Sequence, residues 1–147
     1  YPHLVGFKEF GGAEALSYAA EHITSGEEEL ELLVGVDTQV CHGVLRCGAI
    51  GLITGVGNVL PQPVLKLFAL CQMALSGDDQ AKNYAYELED ALKTLSTFDE
   101  GPDLVLYYKY LLLLKGDANY QHHLNAFDEL GPSQKNFAAS QLALFER

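Results

Sequence analysis

The residue hardest to explain as scaffold is Lys8, in the stretch "LVGFKEF" from Leu4 to Phe10. It follows a short apolar run that reads as a strand over Leu4–Phe7, with Glu9 directly behind it and Gly11-Gly12 breaking the chain. An ammonium group on a buried strand loses its hydration, which favours the neutral amine. A neutral amine attacks ketones and aldehydes, and the Schiff base it forms is an electron sink. The competing reading is a lysine at a strand end whose head reaches water. Lys66, Lys82, Lys93, Lys109, Lys115 and Lys135 all fall in or near helical patterns, where solvated charge is expected. Cys41, Cys47 and Cys71 lack the paired spacing of a metal site. They read as reduced core thiols, which fits a reducing, cytoplasmic setting.

The elements that must position Lys8 follow from periodicity. Leu16, Ala19, Ala20 and Ile23 form the stripe of an amphipathic helix that Ser25-Gly26 ends. Glu27–Glu29 are a charged connector, and "LELLVGVD" supplies a second strand. A short helix over 38–46 has Thr38 placed as its N-cap and Gly48 as its stop. "AIGLITG" is a third apolar strand. Strands that are continuously apolar instead of alternating are expected to be parallel and buried on both faces. The remainder reads as helical: 61–75 with Pro61 in its first turn, then a helix opened by Asp78 or Asp79 with a stripe from Ala81 to Leu95. Two further helices follow, one over 103–115 closed by Gly116 and one capped by Ser133 that ends near Arg147. Three parallel strands leave two bare sheet edges, so the expected whole is a larger parallel α/β structure of which this is a later portion.

Composition excludes several classes. The chain has 147 residues, 48% of them hydrophobic, which suits one ordinary globular domain. Twenty acidic against 9 basic residues give a net charge of −11. That leaves no basic surface for nucleic acid. The longest apolar run, Leu111–Leu114, is too short to span a bilayer, so no membrane partner is expected.

Three blocks together resemble one family. "VGFKEFGG" is similar to the Gly-Ile-Lys-Glu segment around the Schiff-base lysine of the dihydrodipicolinate synthase and N-acetylneuraminate lyase family. "LLVGVD" resembles that family's Leu-Leu-Ser-Gly-Asp-Asp and Gly-Tyr-Asp-Glu versions. "CGAIGLITGVGNVLP" resembles its Gly-Ala-x-Gly-x-Ile-Ser-x-x-x-Asn-hydrophobic-x-Pro segment, and Lys109 in "YYKYLLLLKG" resembles a lysine of its penultimate helices. The order and spacing of the blocks fit as well. The resemblance implies the C-terminal part of a (β/α)8 TIM barrel, about strands 6–8, plus a C-terminal helical extension. Residues 1–60 would be the last three β/α units; 61–147 would be the final barrel helix and the extension. A whole barrel needs about 250 residues.

By the same resemblance Lys8 is the imine nucleophile that attacks the C2 carbonyl of pyruvate or another 2-keto acid. Ile53 matches a position whose backbone carbonyl faces the lysine. Gly35 and Asp37 match positions that contact the distal part of the keto acid or the second substrate. Thr54 lies beside them at a strand end, where barrel active sites sit. Gly55 stands where the sialic-acid branch has a hydroxyl contact and Thr38 where it has glutamate, so a sialic acid substrate is not expected. No cofactor and no metal are implied, and the complete barrel is expected to be a homo-oligomer. The tight-turn reading of Gly35, Gly51, Gly55 and Gly57 stands beside the functional one, and Asn58 reads as a helix N-cap.

Two family elements do not occur: the Tyr-Asn-x-Pro strand that relays protons and the Gly-Thr-Thr-Gly-Glu loop that holds the carboxylate. The isolated chain is therefore expected to be a poor catalyst. The leading activity is a dihydrodipicolinate synthase-like class I lyase. A 2-keto-3-deoxy sugar acid aldolase or dehydratase is the alternative, since the specificity loops of the family sit largely upstream, and "HHLNAFDELGPSQ", standing where synthases often have Arg-Leu-Pro-Leu, weakens the synthase label. A non-catalytic half-barrel that needs a partner is the alternative of another class. A flavodoxin-like binding domain lacks its phosphate loop, since "EFGGAEAL" offers no G-x-G-x-x-G pattern.

Overall fold

In the computed structural model, which describes residues 3–26 and 30–147, every apolar run of the first third becomes a strand of one sheet. Strands β1 (Gly6–Glu9), β2 (Glu31–Val34) and β3 (Gly51–Leu52) lie in that order and all run parallel. Lys8 is level with Leu33, and Leu33 with Gly51. The molecule is a mixed α/β protein in which helices predominate. The expected acidic connector at Glu27–Glu29 lies outside the described residues.

Helix α1 (Ala13–Ala19) follows β1 and continues as a π-helical turn over Ala20–Thr24. Gly12, at φ 92°, lets the chain turn from β1 into α1, a backbone state that side chains disfavour. Helix α2 (Val40–Cys47) follows β2 through a 3-10 turn at Asp37–Gln39. It ends at Gly48, which is left-handed at φ 70°. Helices α3 (Pro61–Leu75), α4 (Asp79–Ser96), α5 (Leu104–Leu114) and α6 (Pro132–Phe145) complete the chain. None of the described helices is long and apolar enough to cross a membrane.

Two compact units divide at the Asp90–Ala91 bond inside α4. In the first, Leu16, Leu32, Val34, Val40, Cys41, Val44, Val56, Leu67 and Cys71 are buried and form the core. Val34 reaches α2 at Gly43, where a side chain on the glycine would overlap its Cγ2 methyl. In the second, Phe98 stacks on Tyr107 with ring centroids 4.4 Å apart and meets Phe137 edge-on at 5.8 Å. The Tyr108 hydroxyl donates to Asp99 at 2.7 Å, and the Gln134 amide donates to Asp103 at 2.9 Å.

Several local expectations are corrected. Among the described residues only one face of the sheet is covered: Leu32 and Val34 are buried, whereas on the other face Lys8 is exposed and Leu33 half-buried, and Leu4, Phe10 and Ile53, which flank the strands, are 57%, 70% and 48% exposed. Continuous apolar strands identified the parallel pairing, but burial on both faces requires a second layer that these residues do not provide. Thr38 caps no helix. The N–H of Cys41 in the first turn of α2 is instead taken by the buried Glu89 carboxylate of α4 at 2.8 Å. Asn58 closes a 3-10 turn over Val56–Asn58 and donates to the Gly55 carbonyl at 2.9 Å, and α3 begins at Pro61. Ser133 does not open α6, which starts at Pro132 with the Gln134 side chain accepting from Gly131 N–H at 2.8 Å. Of the two candidates for opening α4, Asp78 does so by accepting from Ala81 N–H at 2.9 Å.

Candidate functional site

The C-terminal ends of the three strands bring the sequence candidates to one edge. Lys8 is the third residue of β1, Gly35 directly follows β2, and Ile53 directly follows β3. Main-chain bonds fix this alignment: Gly35 N–H donates to the Glu9 carbonyl at 2.7 Å, and Ile53 N–H donates to the Val34 carbonyl at 2.8 Å. Lys8, Leu33 and Gly51 share one face because register sets them side by side and side chains alternate along a strand.

Lys8 itself is exposed, which fits the reading of a lysine whose head reaches water and not that of one buried in the sheet. The reason is the uncovered face described above. Its stem crosses Gly35, where an added Cβ would overlap Lys8 Cε and stand 2.9 Å from both Lys8 Cγ and Phe10 Cβ. Gly35 is therefore a close-approach position: the absence of its side chain is what lets the lysine lie along the sheet. The Lys8 ammonium is 5.7 Å from the centroid of the Phe10 ring, within cation–π range.

Glu9, adjacent in sequence, does different work. Its carboxylate Oε1 accepts from the main-chain N–H groups of Phe10 and Gly11, each at 2.7 Å. The turn out of β1 is thus held by the residue after the lysine, and Lys8 is left without a carboxylate in ion-pair contact among the described residues.

Asp37 is buried, and its Oδ2 accepts from Gly55 N–H at 3.2 Å and Val56 N–H at 3.3 Å. It ties the loop after β2 to the loop after β3. That fixes Thr54 and Gly55, both half-buried, close to the strand ends. Within this chain Asp37 is a positioning residue, its carboxylate spent on main-chain donors. Thr54 Oγ1 lies 3.0 Å from where a Cβ on Gly57 would be, so that loop too is tightly folded. Thr38 is half-buried on the 3-10 turn that follows Asp37.

Sequence reasoning missed Glu89 and the pairing of Cys41 with Cys71. All three cysteines are free and buried, and the Cys41 and Cys71 sulfurs lie 3.9 Å apart. The Cys71 sulfur beside it, burial and the Glu89 carboxylate push the Cys41 thiol up. Burial pushes the Cys47 thiol up as well. Glu89 falls among the apolar positions of α4 without matching them, which is the one sequence signal that marked it. No group of three or more His, Cys, Asp or Glu side chains suited to a metal occurs among the described residues. No family model matches the chain, and no curated protein matches it.

Proposed function

We propose that this chain carries the nucleophilic part of a Schiff-base lyase site acting on pyruvate or another 2-keto acid, with Lys8 as the imine-forming residue. The observation that carries the reading is the placement of Lys8 over Gly35, with Ile53 following the third strand, at the C-terminal ends of three parallel strands. Active sites of parallel barrels sit at that end, and the resemblance of the three sequence blocks to the dihydrodipicolinate synthase and N-acetylneuraminate lyase family points to the same lysine. On this reading the strands are about the sixth to eighth of a (β/α)8 barrel and the helices after α3 are its extension, in a cytoplasmic homo-oligomer.

The amine of Lys8 adds to the keto carbon, and loss of water gives the imine. Gly35 keeps the path of the lysine clear, and Ile53, by the family resemblance, offers its backbone carbonyl toward the lysine. Asp37 holds the two loops that carry Thr54 and Gly55 around the substrate. Proton relay and carboxylate anchoring come from residues outside this set, so turnover by these residues alone is slow. A synthase-like condensation is the leading reaction, and a sugar-acid aldolase or dehydratase is the alternative.

A second reading is favoured by the exposed apolar face around Leu4, Phe10 and Ile53: a non-catalytic half-barrel that requires a partner to cover it. One experiment separates the two. The protein is incubated with pyruvate, reduced with borohydride and analysed by intact mass and peptide mapping. An N-carboxyethyl group on Lys8, absent in Lys8→Ala, is the expected outcome. A folded protein that sediments as an assembly and carries no adduct at Lys8, or one labelled evenly over its lysines, rules the lyase reading out.

A further inference from the structure

Arg46 stands in the last turn of α2 and is one of two arginines in a chain with 20 acidic residues. It is exposed, and no carboxylate pairs with it among the described residues. An arginine left unpaired in so acidic a chain is a donor fork without an acceptor, shaped for a planar carboxylate.

Arg46 also lines two hollows of different character. One, of about 420 Å³, is polar and includes Thr38, Gln39, His42 and Tyr86, with Glu89 in its wall. The other, of about 360 Å³, is bordered by Leu45, Ile50, Phe68 and Leu75. Both volumes fall in the range of small-molecule sites. The Glu89 carboxylate disfavours a second negative charge in the polar hollow. Ile50 and Leu75, 53% and 60% exposed, give the apolar hollow surface that gains from being covered.

We infer that the apolar hollow binds a small amphipathic monocarboxylate, its carboxylate on Arg46 at the rim, outside the hollow that Glu89 lines, and its aliphatic or aromatic tail against Leu45, Ile50, Phe68 and Leu75. The inference is independent of Lys8. Calorimetric titration at fixed ionic strength with octanoate, acetate and octylamine tests it. Octanoate is expected to bind saturably, with acetate about ten-fold weaker or more for want of a tail. Octylamine serves as the charge-reversed control, because adsorption driven only by the tail and the net charge of −11 would favour the cation. Arg46→Gln is expected to weaken octanoate about ten-fold or more, with the melting temperature of the free protein unchanged. Ile50→Asp, at an exposed position, is expected to abolish the tail contribution. Octylamine binding as tightly as octanoate, or unchanged octanoate affinity in Arg46→Gln, overturns the inference.

Discussion

Lys8 and Glu9 are neighbours with opposite employment. Glu9 is consumed by the turn, its carboxylate bonded to two main-chain N–H groups, while Lys8 remains exposed beside Gly35. This makes Gly35 a sharp probe of the site. A methyl group there would overlap the lysine stem, which is exposed and can move aside, and would press on Phe10 Cβ. Gly35→Ala is therefore expected to cost only about 1 kcal/mol of stability, measured by urea denaturation. The rate of reductive trapping of pyruvate at Lys8 is expected to fall about ten-fold or more, because the amine is displaced. Unaltered trapping would show that the lysine does not need the clear path. Lys8 was legible as an outlier in the sequence because its charge interrupts an apolar run. The sequence left its exposure open between two readings, since exposure depends on what covers the sheet face.

At the level of elements, the stripes, caps and breakers foretold most helices, including α3 with the bounds found. At α2 they failed because a tertiary partner had replaced a local one, and at Asn58 and Ser133 because another local bond had. Glu89, some fifty positions along the chain, does at α2 what Thr38 was expected to do. The packing of β2 against α2 offers a test of how such contacts outweigh propensity. Alanine exceeds glycine in helix propensity by about 1 kcal/mol, so Gly43→Ala would stabilise an isolated α2. In the folded protein the new methyl group meets the fully buried, β-branched Val34, which has few rotamers to escape into. Overpacking of this kind costs about 1–3 kcal/mol. A net loss of about 1 kcal/mol or more is expected in urea denaturation, and a gain in stability would show that Val34 yields freely.

For the whole molecule, the Cys41 thiol gives stability a dependence on alkaline pH, opposed by Cys71, whose thiol is held down by the Cys41 sulfur beside it. The Cys41 thiol is pushed up in the folded state by the Cys71 sulfur, burial and Glu89, so it keeps its proton where the unfolded chain would release it. A raised folded value gives stability that is complete below the unfolded thiol pKa and lost as pH rises beyond it. Between pH 7.5 and 9.5 the contribution of Cys41 to the unfolding free energy is expected to fall, at a limiting slope of about 1.4 kcal/mol per pH unit above about pH 8.5, with Cys71 acting in the opposite sense. Urea melts of wild type and Cys41→Ala check this. The variant is less stable at neutral pH because of the cavity, but its slope with pH should be shallower. Equal slopes would place the dependence elsewhere.

What the sequence determined by itself is the local part of this protein. Each of the runs "LVGF", "LELLVGVD" and "AIGLITG" contributes to a strand, though β1 lies two residues later than expected, at Gly6–Glu9; continuous apolarity makes the strands parallel, and Gly12, Gly48 and Gly116 punctuate the helices because they take positive φ. It also placed Lys8, Gly35 and Ile53 at strand ends, since strand limits and turn residues are short-range properties. Only the tertiary structure decided that one sheet face stays open, that Asp37 spends its carboxylate on the Gly55 and Val56 amides, and that Cys41 meets Cys71 and Glu89. Each of these joins residues roughly twenty to fifty positions apart, or depends on whether a layer covers the sheet. No periodicity encodes such distances; they are fixed when helices and strands close on a common core.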